Sequence, residues 1–135
     1  ETLAKTNLEQ WKSGTIVNLD RCMQMNGRLD GHIVQGHVDA VAECTAVIEK
    51  DGSWEYRFKF PETFAGLVIE KGSVTLNGTS LTLFNVGKDS FTVAIIPFTY
   101  HHTNINTITK GGLVNIEFDI LGKYVQRMLQ LKTTI

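Results

Sequence analysis

One stretch of the chain occurs twice: residues 2–20 recur as residues 99–117, and Thr2 and Thr99 open the two copies at a separation of 97 residues. Identical residues at that separation are Thr2/Thr99, Thr6/Thr103, Asn7/Asn104, Gly14/Gly111, Val17/Val114 and Asn18/Asn115. Self-similarity at one fixed spacing indicates duplicated structural units. We therefore expect residues 1–20 to be the tail of one unit, residues 21–119 to be a complete second unit, and residues 120–135 to follow it.

Composition narrows the class of protein. A chain of 135 residues is long enough for one compact domain, and its 13 basic and 14 acidic residues leave a net charge of −1 without a basic run. Nucleic acid and anionic membranes are therefore not expected partners. Cys22 and Cys44 stand far apart, so neither a disulfide framework nor a zinc site is indicated. We expect a cytoplasmic protein with reduced thiols and no membrane-spanning segment.

Strand patterns dominate the middle of the chain. Aromatic residues alternate with charged ones from Trp54 to Phe60, which is the period of a half-buried strand. Further β-rich runs lie at residues 37–48, 73–76, 80–86, 91–96 and 113–118. The dipeptides Asp51-Gly52 and Asn77-Gly78 are typical hairpin turns, because a type I′ turn needs positive φ at both central positions. Six short strands predict an all-β protein, either a closed antiparallel barrel or a sandwich.

Helical spacing is confined to two places. Residues 61–66 begin with proline, which suits a first helical turn. The stronger pattern places one apolar stripe on a C-terminal helix, formed by Leu121, Tyr124, Val125, Met128 and Leu129. That stripe predicts either packing on the chain's own barrel or association with copies of the same chain.

Two groups of polar residues are candidates for chemistry. His32 and His37 each follow a glycine, but without a third nearby ligand the pair favours hydrogen bonding or acid/base work over a metal. Ser80 and Thr82 share one face of a strand and can bind carbonyl and ring nitrogen groups. His101 and His102, if they lie on a strand, point in opposite directions and do not share one ligand.

Five segments read together identify a family. They are ETLAKTNL, GHIVQGHV, KGSVTLNGTSLTL, AIIPFTYHHTNI and GGLVNIEFDILGKYV. In this order and spacing they resemble the carboxy-terminal two-thirds of the riboflavin synthases. The resemblance covers essentially the whole chain. It implies a six-stranded Greek-key barrel of the lumazine-binding type, preceded by a homologous barrel and followed by a C-terminal helix that associates into a trimer.

The resemblance also implies a transferase activity. Riboflavin synthases convert two molecules of 6,7-dimethyl-8-ribityllumazine into riboflavin and 5-amino-6-(D-ribitylamino)uracil, without a metal or other cofactor. The 7-methyl protons of the lumazine are already acidic, so the protein mainly aligns two substrates and stabilises charge. Lumazine and riboflavin are therefore the implied ligands. In the family the active site forms between barrels of neighbouring subunits.

The family pattern assigns site residues position by position. His37 and Asp119 are implied in polar alignment or proton traffic, and Ser80 and Thr82 in hydrogen bonds to the pteridine or a hydroxide. The implied substrate contacts are Glu1, Thr2, Gly36, His37, Val38, Lys71, Asn77, Ser80, Leu81, Thr82, Ile95, Ile96, Pro97, Phe98, Thr99 and Tyr100. Two departures affect the ribityl contacts: Asn77 replaces a common Asp, and residues 98–100 replace Glu-Thr-Leu.

Three other readings are open at this level. The same fold occurs in antenna proteins that hold lumazine or flavin without converting it, but the polar set of the second barrel is complete here. An oligonucleotide-binding barrel would need a basic surface, which the charge balance argues against. A purely structural role is the third. Residues 1–20 are expected either to hang free or to complete a barrel by exchange with another chain.

Overall fold

Six antiparallel strands close into a barrel in a computed structural model, which describes residues 1–132. The strands are β1 (Ala40–Lys50), β2 (Ser53–Lys59), β3 (Ser73–Leu76), β4 (Thr79–Phe84), β5 (Ser90–Ile95) and β6 (Leu113–Phe118). Their order around the barrel is β1-β2-β5-β4-β3-β6, and β6 pairs back with β1. This Greek-key order confirms the predicted barrel over the sandwich.

Glycine turns fix two of the hairpins. Asn77 and Gly78 join β3 to β4 with φ angles of 46° and 84°, as the predicted type I′ turn requires. Asp51 and Gly52 join β1 to β2, where Lys50 pairs with Ser53. A register shift between Cys44 and Ala46 bends β1, which helps a short sheet to close.

The barrel interior is aromatic. Tyr56 and Phe58 on β2 are buried, as the alternating pattern predicts, and the Phe58 and Phe91 rings lie 5.8 Å apart. Burial raises the pKa of the Tyr56 hydroxyl to about 12, and the neighbouring Tyr100 and Cys44 add to the rise. Burial likewise raises the pKa of the Cys44 thiol. The core is therefore dry enough to disfavour ionised groups.

Helical segments lie outside the barrel. The α-helices are α1 (Thr2–Lys5), α2 (Pro97–His102) and α3 (Ile120–Lys132), and the 3₁₀ turns are Leu8–Gln10, Glu62–Leu67 and Asn104–Thr107. The strand reading of His101 and His102 is wrong: β5 ends at Ile95, and Pro97, whose fixed φ suits a first helical turn, opens α2. The first strand begins at Ala40 rather than at residue 37.

Helix α3 presents its apolar stripe to solvent. Its N-terminus is capped by the Asp119 carboxylate, which accepts the Leu121 N–H at 3.0 Å. Its glycine, Gly122, packs against Leu67, so the face that meets the barrel is not the predicted stripe. The stripe residues Leu121, Tyr124, Val125, Met128 and Leu129 are all exposed. Packing of this stripe on the chain's own barrel is therefore wrong, and residues 133–135 of the predicted helix lie outside the described residues.

The N-terminal segment lies on the barrel. The Asn7 side-chain amide donates to the Leu113 carbonyl at 2.9 Å, and the Asn7 N–H donates to Asn115 Oδ1 at 2.8 Å. Both partners belong to β6. This holds the first copy of the repeated stretch against the strand that ends the second copy.

A second set of contacts repeats this pattern with the roles of the copies exchanged. The Asn104 N–H donates to Asn18 Oδ1 at 2.7 Å, and the Asn104 side-chain amide donates to the Ile16 carbonyl at 3.2 Å. Asn104, Asn18 and Ile16 stand 97 residues from Asn7, Asn115 and Leu113, respectively. Each copy therefore binds the other through an equivalent pair of hydrogen bonds.

The structure contains no helix that fits a membrane span: among residues 1–132, none combines the required length with an apolar sequence.

Candidate functional site

A row of three polar residues crosses the outer face of the barrel. Thr75 on β3 pairs with Ser80 on β4 and with Glu117 on β6. Side chains alternate along a strand, so the neighbours Val74 and Leu76 fill the core while this row faces outward. Cross-strand pairing thus places two hydroxyls and one carboxylate side by side.

A loop segment covers the row. We call residues 31–39 the strap. Its His32 ring bridges the two hydroxyls, with Nδ1 2.7 Å from Ser80 Oγ and Nε2 3.2 Å from Thr75 Oγ1. Each hydroxyl both donates and accepts, so either imidazole tautomer satisfies both contacts. A histidine at this distance can exchange a proton with the Ser80 hydroxyl or strengthen it as a hydrogen-bond donor.

The glycine before His32 permits this approach. Gly31 has a φ of 120°, and a Cβ at this position would lie 2.6 Å from Ser80 Oγ. Any side chain here would push the strap off the hydroxyl. The Gly-His order in the sequence is therefore a steric requirement of the contact.

The far half of the strap is held by carboxylates. Glu117 accepts the N–H groups of Gln35 and His37, each at 2.7 Å. Asp39 accepts the Phe118 N–H at 2.8 Å and pairs with the Lys123 ammonium at 2.7 Å. The strap is thus fastened to β6 and to the first turn of α3.

The two histidines have different surroundings. His37 is exposed, and its backbone rather than its ring makes the contact with Glu117. His32 is half-buried and touches Ser80. The family pattern selects His37, whereas the geometry brings His32 to the candidate catalytic hydroxyl.

A cleft of about 880 Å³ opens beside Ser80 and His32. Its lining includes residues 16–23 of the N-terminal segment, residues 32–34 of the strap, and residues 78–80 and 101–104. Of the four residues predicted to be catalytic, His37, Ser80, Thr82 and Asp119, Ser80 lines this cleft. The cleft is large enough for a bicyclic ring with a side chain.

Aromatic rings flank α2. The Trp54 and Tyr100 rings stack with centroids 3.7 Å apart, and His101 meets both rings edge-on. Phe98 is 69% exposed and stacks on His102 at 4.3 Å. The two residues by which this segment departs from the family pattern, Phe98 and Tyr100, therefore stack with neighbouring rings, while His101 and His102 both line the cleft.

Other predicted site residues are spread over the outer surface and the core. Thr82 is exposed on the same face of β4 as Ser80, as the alternation predicts, and Lys71 is exposed before β3. Leu81 and Ile95 point into the core, so only their backbone can face a ligand. The remaining exposed or half-buried members are Gly36, Val38, Ile96, Pro97 and Thr99.

Three predicted polar residues have structural partners. Asn77 Oδ1 accepts the Asn115 N–H at 2.8 Å, and Asp119 caps α3. Glu1 pairs with Lys5 at 2.6 Å, and this hydrogen bond and charge lower the pKa of the Glu1 carboxyl. The carbonyl of Thr2, the neighbouring predicted residue, accepts the Thr6 hydroxyl at 2.8 Å.

Sequence reasoning missed Thr75 and Glu117 as members of the row. Strand alternation signals that both face outward, but an outward polar residue on a strand is ordinary. Only the strap, which buries them, distinguishes them from solvent-facing neighbours. No group of three or more histidine, cysteine or acidic side chains within residues 1–132 is arranged to hold a metal ion.

Comparison with known proteins gives a consistent result. A family model described as the lumazine binding domain matches residues 35–119. The riboflavin synthase of Actinobacillus pleuropneumoniae is 43% identical over 132 residues, covering 98% of this chain and 61% of the relative. That of Bacillus subtilis is 42% identical over 129 residues, covering 96% and 60%. The chain thus spans about three-fifths of the length of these relatives.

Solved structures show the same fold. LumP complexed with riboflavin has a TM-score of 0.63 at 22% identity, covering 68% of this chain and 50% of that one. LumP complexed with 6,7-dimethyl-8-(1'-D-ribityl)lumazine has a TM-score of 0.62 at 20% identity, covering 67% and 51%. At this identity the likeness concerns the barrel architecture.

Proposed function

Since this chain belongs to the lumazine-binding domain family, we propose that it provides one lumazine site of a riboflavin synthase. The reaction is the dismutation of two 6,7-dimethyl-8-ribityllumazine molecules to riboflavin and 5-amino-6-(D-ribitylamino)uracil. The observation that carries this proposal is the 43% identity to a riboflavin synthase along 98% of the chain. Identity of that extent includes the barrel, the strap and the C-terminal helix together.

The site chemistry supports the same reaction. A lumazine that has lost a 7-methyl proton is a delocalised anion, so hydroxyl and imidazole donors are sufficient to stabilise it. Ser80, held at 2.7 Å by His32, is the proposed donor to a pteridine oxygen or ring nitrogen, or to an attacking hydroxide. Thr82 lies two residues along the same face and extends the donor set.

The remaining predicted residues complete the proposal. His37 and Asp119 are proposed for polar alignment or proton transfer at the strap and at the start of α3. The proposed substrate contacts are Glu1, Thr2, Gly36, Val38, Lys71, Asn77, Leu81, Ile95, Ile96, Pro97, Phe98, Thr99 and Tyr100. No metal or redox cofactor takes part in the proposed reaction.

Assembly is part of the proposal. The exposed apolar stripe on α3 supports association with copies of this chain, a trimer in the proposed assembly, because an apolar face of this extent is unfavourable in water. The matching hydrogen bonds of residues 2–20 and 99–117 support residues 1–20 as the tail of a homologous barrel. Two barrels that meet would bring two lumazines together, and a cytoplasmic location suits such an enzyme.

The test uses the purified chain and the substrate. The chain is incubated with 6,7-dimethyl-8-ribityllumazine, binding is followed by calorimetry, and riboflavin is quantified by chromatography. We expect binding, with riboflavin formed wherever two sites meet. Binding without product from any assembly would favour an antenna-type protein, and the absence of binding would overturn the proposal.

A matched pair of variants locates the chemistry. Ser80→Ala removes the hydroxyl next to His32, and we expect it to lower turnover or binding by about tenfold or more, the scale of one hydrogen bond to a charged group. Ser90→Ala removes an exposed hydroxyl at the start of β5 and should leave both unchanged. Equal behaviour of the two variants would remove Ser80 from the mechanism.

A further inference from the structure

Glu117 is a buried carboxylate with an unusual set of partners. Its residue is 5% exposed, yet within residues 1–132 no lysine or arginine forms an ion pair with it. Its two oxygens instead accept the Gln35 and His37 N–H groups, one each, at 2.7 Å. A buried charge requires such partners, because desolvation without hydrogen bonds is costly.

The strap is shaped to receive this carboxylate. Gly36, which lies between the two donors, has a φ of 75°, a left-handed conformation that lets the N–H groups of residues 35 and 37 point toward one carboxylate. Converging N–H groups form a concave anion site, and their dipoles repel one another when no anion is present. Glu117 is therefore the anion around which the turn at Gly36 is built.

We propose that Glu117 is a positioning residue for the ligand site, acting through the strap rather than by touching the ligand. This inference rests on the proposed function, in which Gly36, His37 and Val38 contact lumazine. Fixing the N–H groups of residues 35 and 37 fixes the backbone of that contact segment. We call the two hydrogen bonds from the Gln35 and His37 N–H groups to Glu117 the clamp. Without the clamp, residues 36–38 sample other conformations, and ligand binding must then order them, which lowers the affinity.

The clamp also supports the Ser80 and His32 contact. The strap is attached to the row of Thr75, Ser80 and Glu117 at two points. The His32 ring contacts Ser80 and Thr75, and the backbone of residues 35–37 contacts Glu117. Thr75 pairs across the sheet with both Ser80 and Glu117, so the two attachments lie on adjacent strands. Release of one attachment increases the freedom of the other.

The equivalent position in the first copy has no such role. Asp20 stands 97 residues before Glu117, is exposed, and accepts the N–H of its own neighbour Arg21 at 2.8 Å. A carboxylate at this place in the repeated stretch is therefore not sufficient for a clamp. The strap N–H groups are required as well.

The experiment compares Glu117→Gln with Glu43→Gln, an exposed carboxylate on the neighbouring strand β1. Backbone amide exchange is measured by NMR, and lumazine affinity by fluorescence titration. Glu117→Gln keeps one acceptor oxygen and turns an NH₂ group toward the second N–H, so we expect about tenfold faster exchange at residue 35 or 37, the scale of one hydrogen bond to a charged group. Lumazine affinity should fall several-fold, while core amides such as that of Phe58 and the urea midpoint change little. Glu43→Gln should alter none of these.

A second variant covers the case in which Glu117→Gln fails to fold. Gly36→Ala changes only the strap, because nothing lies within 4 Å of the added Cβ, and it opposes the left-handed φ directly. We expect the same two amides to exchange faster and the same loss of affinity.

Three results would contradict the clamp, its positioning role or the proposed function. Unchanged exchange at residues 35 and 37 in the variants would overturn the clamp. Faster exchange with unchanged lumazine affinity would overturn its positioning role and leave a structural contact. Failure of the unmodified chain to bind lumazine would overturn the proposed function, and the exchange rates would still report on the clamp.

Discussion

The two copies of the repeated stretch adopt the same turns but differ in the segment that follows them. Each begins with a helical turn, follows it with a 3₁₀ turn and then bends at a glycine with a φ near 90°, at Gly14 and Gly111. Two hydrogen bonds within each copy match to within 0.1 Å. The Thr6 hydroxyl donates to Thr2 O at 2.8 Å, and the Thr103 hydroxyl donates to Thr99 O at 2.8 Å. The Trp11 N–H donates to Leu8 O at 3.0 Å, and the Ile108 N–H donates to Ile105 O at 3.1 Å.

The copies diverge where a strand is due. Residues 113–118 form β6, paired on both sides, and Ile116 is 0% exposed. The equivalent residues of the first copy form no strand, and Leu19, which corresponds to Ile116, is 92% exposed. Turns need only their own residues, whereas a strand needs neighbours. The same sequence pattern therefore gives the same turn twice but only one strand.

The largest expected difference separates Ile116→Ala from Leu19→Ala. Ile116 fills the core, so its truncation should lower the free energy of unfolding by about 2 to 5 kcal/mol. Leu19 is exposed, and its truncation should change that free energy by no more than about 0.5 kcal/mol. Urea denaturation of both variants measures the difference. A substantial loss in Leu19→Ala would contradict the exposed position of this side chain.

Alanine substitutions at the two equivalent glycines should have an intermediate effect on stability. Gly14 and Gly111 have φ angles of 90° and 85°, and nothing lies within 4 Å of a Cβ added to either. Alanine at either position therefore carries the same backbone strain, about 1 to 2 kcal/mol. Only Gly111→Ala should lower the urea midpoint, because Gly111 donates its N–H to Cys44 on β1 at 2.7 Å.

Gly14→Ala should instead weaken the docking of the N-terminal segment, seen as faster exchange of the Asn104 N–H that is bound to Asn18. Equal loss of global stability in the two glycine variants would contradict this division. It would mean that the first copy unfolds together with the barrel.

The asparagines give a smaller effect. Asn18→Ala and Asn115→Ala each remove an acceptor from the reciprocal contacts, worth about 1 kcal/mol of docking free energy. Asn18→Ala also removes the amide donor to Asn77 O at 2.8 Å and to Asn104 Oδ1 at 3.0 Å. We expect Asn115→Ala to speed tryptic cleavage after Lys12 by about fivefold, in line with about 1 kcal/mol, and Asn18→Ala to speed it more. Asn26→Ala, in an exposed turn, should leave the rate unchanged.

The least disruptive comparison uses the two cysteines. Cys22, just after the first copy, is exposed, whereas Cys44 is buried and burial raises the pKa of its thiol. The thiolate is the reactive form, so a folded chain should take up one equivalent of a thiol reagent near pH 8, at Cys22. The second equivalent should appear only on unfolding. Rapid labelling of Cys44 in the native protein would indicate that the barrel opens between β1 and its neighbours.

The stability of the folded chain should also depend on pH through Tyr56. Its pKa is raised to about 12 in the folded chain, above the usual 10. The stability that this burial contributes is therefore present below pH 10 and is lost as the pH rises from 10 to 12. Tyr56→Phe removes the titrating group, so its urea midpoint should fall less steeply across this interval. An identical fall in both proteins would show that Tyr56 does not titrate with unfolding.

The sequence by itself determined the elements whose signals are local. Alternation from Trp54 to Phe60 gave a strand, Asn77 and Gly78 gave a hairpin turn, and the stripe beginning at Leu121 gave a helix. Each depends on a few adjacent residues and on the periods of strand and helix. The motifs read together also identified the family, which supplied the Greek-key order.

The tertiary structure alone decided which polar residues meet. His32 rather than His37 reaches Ser80 because the strap crosses three strands, and Glu117 is buried because the same strap covers it. These contacts join residues 48 and 80 positions apart. No local period encodes such pairings, since they arise only when the closed barrel sets the register of β4, β3 and β6 beneath the strap.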